Sequence, residues 1–434
     1  MNNSSAVRVA LNKAFSYALP MYERGNDKFF DMSDLINKLD EQHKKDNVLD
    51  VKLLSEQDFS QCRNEWNCLL DESASKSFFL KWEWIHSYWK TIDKKDAALL
   101  VCFCYQQLDL VGIAPFYVYQ CKFMGLSVNK IAFLGDGVAS DYMDVFTRSG
   151  YEHDCCREVL KLLQTESPVA FSLFEFDGVL ADSNIYRYLL AGDVANDNVV
   201  VLPRFECPRA LLGRDLDSYM AGLSASARYY IRRKQRKLEK SVDNLLVRHV
   251  DLSECPELLD VLFDLHEQRW GMIKDRESTF NSSFRKTFNK ALLNCLEEGD
   301  GFFSFVTVDE KPASIMYLFM YKKRAYFYQN GWNPEYASYS IGIYNIQQAI
   351  QFAIEQGCYS FDFLRGPERY KYTFCNDIRQ AYVIFLFASS LSGRYLHCLL
   401  LLKIGFKRLL DYCGLLNVGR SILGGVSQLK KLIK

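Results

Sequence analysis

The sequence predicts an α/β protein built from two tandem copies of one β-β-β-α-β unit, each a mixed central sheet flanked by helices. Three observations carry this. An apolar β-hairpin, LLVCFCYQQLDLVGIAPFYVYQCK at 99–122, returns in the second half as FFSFVTVDEKPASIMYLFMYKKRAYFYQN at 302–330. Each hairpin is followed by a further strand, a helix, and a strand that ends in an acidic residue and a glycine: FSLFEFDG at 171–178 and FDFLRG at 361–366. Segments such as FFSFVTV and YLFMY are apolar on both faces, which requires cover on both sides of the sheet.

The elements follow in order. In the first copy, helices are expected over 56–70 and 82–91, before a hairpin whose turn lies at 106–109, with a further helix over 154–165. In the second copy, Leu258, Leu262, Leu265 and Arg269 phase a helix over 256–270 that carries Pro256 in its first turn. Another helix is expected over 284–298, and the hairpin turn over 309–312. Ile343, Ile346, Ile350 and Ile354 share one face of a helix over 343–355, and Gly357 ends it. The uncharged stretch 380–393 is too short to span a bilayer and reads as a strand. The expected organisation is a polar flexible arm at 1–47, a first unit at 48–203, a second at 204–390 and a basic, leucine-rich helical tail at 391–434. The junction is placed at 201–208, where Pro203 and Pro208 interrupt the pattern.

Bulk properties narrow the function. The chain has 434 residues, enough for two domains, and 49% of them are hydrophobic. Its 53 basic and 53 acidic residues cancel, so no global field favours nucleic acid. The 14 cysteines are scattered without paired zinc spacing, as expected of buried thiols in a reducing cytoplasm, and no metal site is expected. No apolar signal segment opens the chain. Two stretches break the charge balance. Residues 228–240 hold seven Lys/Arg and one Glu on a helical pattern, either a solvated bridging helix or a patch for a polyanion. Residues 403–434 hold seven Lys/Arg against Asp411, allowing either a helix docked on its own domain or peripheral contact with a membrane.

The chain lacks GxxxxGK[ST], GxGxxG after a first strand, HExxH and GxSxG, and its six histidines form no evident nucleophile pair. What remains is NPEYASYSIGIYNIQQAI at 333–350, a small-residue turn into an amphipathic helix, where free N–H groups suit phosphate. Beyond it lies YSFDFLRGPERYKYTF at 359–374, a strand that ends in dense charge and phenol. Together with FFLKWEWIHSYWKTI, LVGIAPFYV, SASARYYIRRKQRKLEK and LHEQRWGM, these segments resemble the GNAT acetyltransferase superfamily in order over 48–387. The likeness is narrower to the CelD-like, polysaccharide-associated branch, with its D-F-x-x-G-x-x-x-Y-K block at 362–371. The tandem arrangement is also similar to that of the Fem-type aminoacyl transferases.

The resemblance implies two GNAT-like units, the second active and the first, whose counterpart segment is FLGDGVASDYMDVF at 133–146, non-catalytic. It implies transfer of an acetyl or other acyl group from acyl-CoA to an amine, with no metal. The acceptor it implies is an amino sugar or a polysaccharide or cell-envelope precursor. The pyrophosphate loop of typical members is reduced here to SYSIG, so Ser340, Ile341 and Gly342, with Arg365, are the expected cofactor contacts. Acyl transfer needs a base for the amine, donors for the developing oxyanion and an acid for the thiolate. Asp362 is expected as base or amine anchor, Tyr370 as acid, and Lys371 beside them. Arg269, Trp270, Tyr328, Gln329 and Trp332 are expected to line the acceptor pocket. Two other readings are an aminoacyl-tRNA-dependent Fem-like transferase, favoured by the basic helix, and a non-catalytic binding scaffold with a membrane-touching tail.

Overall fold

The structure, a computed structural model, describes residues 49–135, 140–191, 196–271 and 278–412. The expected arm at 1–47 and the last part of the tail lie outside these residues. The first half runs β1 (Asp50–Leu53), α1 (Glu56–Gln61), α2 (Arg63–Glu72), α3 (Trp82–Thr91), β2 (Ala97–Gln106), β3 (Asp109–Phe123), β4 (Leu126–Phe133), a short β5 (Phe146–Thr147), α4 (Glu152–Glu166), β6 (Leu173–Leu180), α5 (Asn184–Leu190) and β7 (Val199–Leu211). The second runs α6 (Leu216–Ala221), α7 (Ala225–Ser241), β8 (Leu245–Asp251), α8 (Leu258–Gly271), α9 (Ser283–Leu293), β9 (Gly301–Val308), β10 (Lys311–Tyr321), β11 (Arg324–Trp332), α10 (Ile341–Glu355), β12 (Ser360–Asp362), α11 (Arg369–Phe374), β13 (Asp377–Phe387) and α12 (Leu391–Tyr412).

All strands join one mixed sheet in the order β1-β2-β3-β4-β6-β13-β7-β12-β11-β10-β9-β8, with β5 on the edge of β3. Two pairs are parallel, β4 with β6 and β11 with β12, at equivalent places in the two halves. At the centre the halves exchange their last strands. β7 pairs antiparallel with β12 of the second half, and β13 pairs antiparallel with β6 of the first. The two exchanged strands then pair with each other.

This exchange corrects the expected junction. Residues 201–208 are the interior of β7, in the middle of the sheet, rather than a linker. The prolines that suggested a break are tolerated because Pro203 lies opposite a register shift in β13, between Ala381 and Tyr382. Pro208 instead offers its carbonyl to Phe363 N at 3.0 Å. The apolar faces of the sheet bury several clusters, the largest of which spans both halves. Around Trp84 it draws Phe78 and Phe79 from the first half and Phe288, Phe319 and Tyr328 from the second. Aromatic edges at these separations add to the area buried, so the halves share one core.

Candidate active site

The parallel pair β11–β12 is short. Arg324, Ala325 and Tyr326 pair with Ser360, Phe361 and Asp362, and there the pairing stops. Phe363 N turns to Pro208 O of β7, and Leu364 (φ 57°) and Gly366 (φ 127°) swing the chain away from β11. Beyond Tyr326 the edge of β11 is therefore left by its neighbour. β11 also carries a register irregularity there, opposite Tyr317 and Leu318, which re-aims Phe327, Tyr328 and Gln329. A cleft of about 130 Å³ opens in this split, between β11, the end of α8 and the turn into α11.

Seven of the residues expected from sequence meet on its wall: Arg269, Trp270, Tyr328, Gln329, Arg365, Tyr370 and Lys371. Arg269 donates to Asn330 Oδ1 at 2.7 Å and lies over the rings of Trp270 and Trp332 at 5.3 and 5.7 Å. Burial lowers its affinity for a proton, against the pull of Tyr370 and Glu368. Trp270 donates from Nε1 to His266 Nε2 at 3.0 Å. That contact makes Nε2 the acceptor, so Nδ1 carries the hydrogen and donates to Ser278 Oγ at 2.8 Å. His266 is thus a neutral brace for Trp270, and burial, helped by Arg269, pushes its pKa down to about 4. The Tyr370 phenol is pushed up by burial and by Glu368, with Arg269 opposing.

Trp332, Ser340, Ile341 and Gly342 stand off the cleft wall; of these, Trp332 lies under Arg269. Ser340 adopts a left-handed conformation (φ 61°) as the residue before α10, and its side chain makes no capping bond. Ile341 is buried in a small cluster with Leu238 of α7. At Gly342 the atoms nearest an added Cβ would be those of the Trp332 ring, the closest at 3.5 Å. Lys237 of α7 donates to Ser338 O, just before this helix start, at 2.8 Å.

Asp362 departs from its expected place. It is fully buried, and its neighbours Phe363 and Leu364, not Asp362, line the cleft. Oδ1 accepts from Tyr142 Oη and Leu364 N, both at 2.9 Å, and Oδ2 pairs with Arg379. A carboxylate with both oxygens engaged and no solvent path is a structural anchor. Arg365, expected as a cofactor contact, is bound elsewhere. It pairs with Asp141, donates to Ser140 O at 2.6 Å and approaches Asp177 at 3.6 Å. Burial works against its charge, yet these two carboxylates hold the guanidinium above the ordinary arginine range. Lys371 is also committed: Nζ donates to Arg365 O at 2.7 Å and pairs with Glu368 at 2.9 Å.

Sequence reasoning passed over Asp141, Tyr142, Arg379, Asn330, His266 and Glu368. Glu368 lines the cleft with a half-exposed carboxylate and was visible inside the quoted charged block. Asp141 and Tyr142 had a weaker signal, two polar residues after a glycine-rich turn; residues 136–139 of that turn lie outside those described. Among the described residues no group of three or more His, Cys, Asp or Glu is placed to hold a metal ion.

The sequence pattern of the family described as an acetyltransferase (GNAT) domain matches residues 225–372, which contain most of the cleft wall. No curated protein matches the chain. Among solved structures, FemX superposes with a TM-score of 0.53 at 10% identity, covering 77% of this chain and 96% of its own. A conserved protein of unknown function from Bacteroides thetaiotaomicron gives 0.50 at 13% identity, covering 78% and 100%. A tandem GNAT protein from the clavulanic acid biosynthesis pathway gives 0.41 at 8% identity, covering 79% and 99%. Residues 225–372 therefore match a GNAT acetyltransferase domain, and the chain shares its fold with FemX.

Proposed function

We propose that the chain is an N-acyltransferase that moves an acetyl or other acyl group from acyl-CoA to a primary amine, with an amino sugar or a polysaccharide or cell-envelope precursor as acceptor. The observation that carries this reading is the split between β11 and β12, with a polar, aromatic cleft opening into it. A thioester laid along the uncovered edge of β11 meets backbone donors that no strand takes up, as a developing oxyanion requires. At the far side of Arg269, the uncapped start of α10 offers its N–H groups beside Gly342, where the phosphates of CoA fit.

The residues then divide the chemistry. An amine must shed its proton to attack, and Glu368 is the half-exposed carboxylate on the cleft wall, held in place by Lys371. As the nitrogen bonds to the carbonyl carbon and the carbon–sulfur bond breaks, the departing thiolate needs a proton. Tyr370, whose phenol burial keeps protonated, is placed to give it. Asp362, Arg365 and Lys371 shape the turn that carries both. Arg269 and Trp270 orient the acceptor.

A second reading is aminoacyl transfer from tRNA. It is favoured by α7, which joins α10 through Gln235 and Gln347 at 2.9 Å and leaves Arg232, Arg233, Arg236 and Lys240 exposed. Calorimetry separates the two. Acetyl-CoA binding that is lost in Gly342→Val supports the first. Absent acetyl-CoA binding, with tRNA retained by the wild type and released by Arg232→Gln/Arg233→Gln, replaces it with the second.

A further inference from the structure

Helix α12 packs by one side only. Gly393 approaches the Ala388 carbonyl so closely that a Cβ would sit 2.1 Å from its oxygen. Leu396, Leu400 and Ile404 then follow that contact into a cluster with Val383, Phe385 and Phe387 of β13. His397 stacks on Phe387 at 5.0 Å. These positions share one face of the helix. A second apolar face looks outward. Leu391, Tyr395, Leu402, Phe406 and Leu409 are 87%, 58%, 69%, 62% and 57% exposed. At about 100° per residue they fall within roughly 60° of one another, turned away from the docked side.

Charge says what covers this stripe. Arg394 and Arg408 flank it on one side and Lys403 on the other, with Lys407 beyond, and all four are exposed. From Leu391 to Lys434 the single acidic residue is Asp411, in the last turn of α12 beyond the stripe, and residues 413–434 add Arg420, Lys430, Lys431 and Lys434. An apolar stripe edged by cations complements a surface that is apolar below and anionic above. We propose that the outer face of α12 docks this protein on an anionic lipid bilayer, lying in the interface. Among the described residues no helix is long and apolar enough to cross a membrane. The inference is independent of the transferase reading.

The test sediments the full chain with vesicles of phosphatidylcholine alone and of phosphatidylcholine mixed with phosphatidylglycerol. Binding is expected only to the mixed vesicles and is expected to weaken with salt. Each Lys or Arg near an anionic surface contributes about fivefold, so Lys403→Gln/Lys407→Gln/Arg408→Gln is expected to weaken binding by about a hundredfold. Leu402→Glu/Phe406→Glu is expected to abolish it, with the melting temperature unchanged because both side chains are already exposed. Equal binding to both vesicle types, no binding by the wild type, or binding that survives both variants overturns the proposal. So does light scattering that finds a dimer which Leu402→Glu/Phe406→Glu makes monomeric, since the face then belongs to a second copy. Acetyl-CoA calorimetry on the same variants keeps the two readings apart, because the docking variants leave the cleft untouched.

Discussion

The hydroxyl of Tyr142 donates to Oδ1 of Asp362 at 2.9 Å, joining residues 220 positions apart in two different halves of the chain. With Asp141 on Arg365, it means that the turn beneath the cleft is held by the first half of the molecule. The first half thus has a physical part in the second half's site: it supplies the anchors that fix where β12 leaves β11.

Breaking that anchor is expected to act on stability before chemistry. Asp362→Asn leaves the Arg379 guanidinium buried without its counter-charge, a loss of roughly 3–5 kcal/mol. Tyr142→Phe removes one of several donors to Asp362 and costs about 1–2 kcal/mol. Urea unfolding measures both. Full stability in Asp362→Asn, with transfer abolished, would return Asp362 to the role of base.

Glu368→Gln separates chemistry from architecture. The amide still accepts from Lys371, so the turn survives, but it cannot take a proton. A loss of about 10²–10⁴ in kcat is expected, with acyl-CoA binding retained. Turnover of Glu368→Gln at the wild-type rate across the pH range rules Glu368 out as the base.

Acidification is expected to destabilise the fold through buried histidines. His266 and His86 are held neutral, each pushed down to about 4 chiefly by burial, with Arg269 and Lys90 adding repulsion. The ordinary value is 6.5, so between 6.5 and 4 the unfolded chain binds more protons than the folded one. Stability therefore falls as pH drops through that window, by up to about 3 kcal/mol for each ring. Urea midpoints from pH 7 to 4.5 follow this. His86→Leu removes a ring whose two nitrogens have no partner and is expected to flatten the profile.

What the sequence disclosed was local. Hairpins, helix phases and the turn into α10 depend on neighbours a few residues apart, and the repeat made each half a control for the other. The exchange of β7 and β13 had no local signature, because antiparallel neighbours are chosen by register across the whole sheet and Pro203 and Pro208 imitate a linker. The same blindness explains Asp362. Its charge stood out within YSFDFLRGPERYKYTF, but its partner Arg379 lies on a strand that reads as apolar, and Tyr142 lies in the other half. An unpaired carboxylate in sequence looks like chemistry, and only the fold supplies the cation that makes it structure.

Gly331 tests whether the cleft depends on how closely α8 rides on β11. An added Cβ would stand 2.7 Å from His266 N, 2.8 Å from Leu265 Cβ and 2.9 Å from Leu265 C. Two of these three atoms are backbone, so no rotamer change relieves the overlap, and Gly331→Ala must push the helix off the strand. The overpacking is expected to cost about 1–3 kcal/mol. Its direction is the more telling part: α8 carries His266, Arg269 and Trp270, while β11 carries Asn330, whose 2.7 Å contact with Arg269 spans the gap. Acceptor affinity should therefore fall more than acetyl-CoA affinity, since the start of α10 lies on the other side of Trp332. Equal loss of both affinities would mean that α8 is only a support for the sheet.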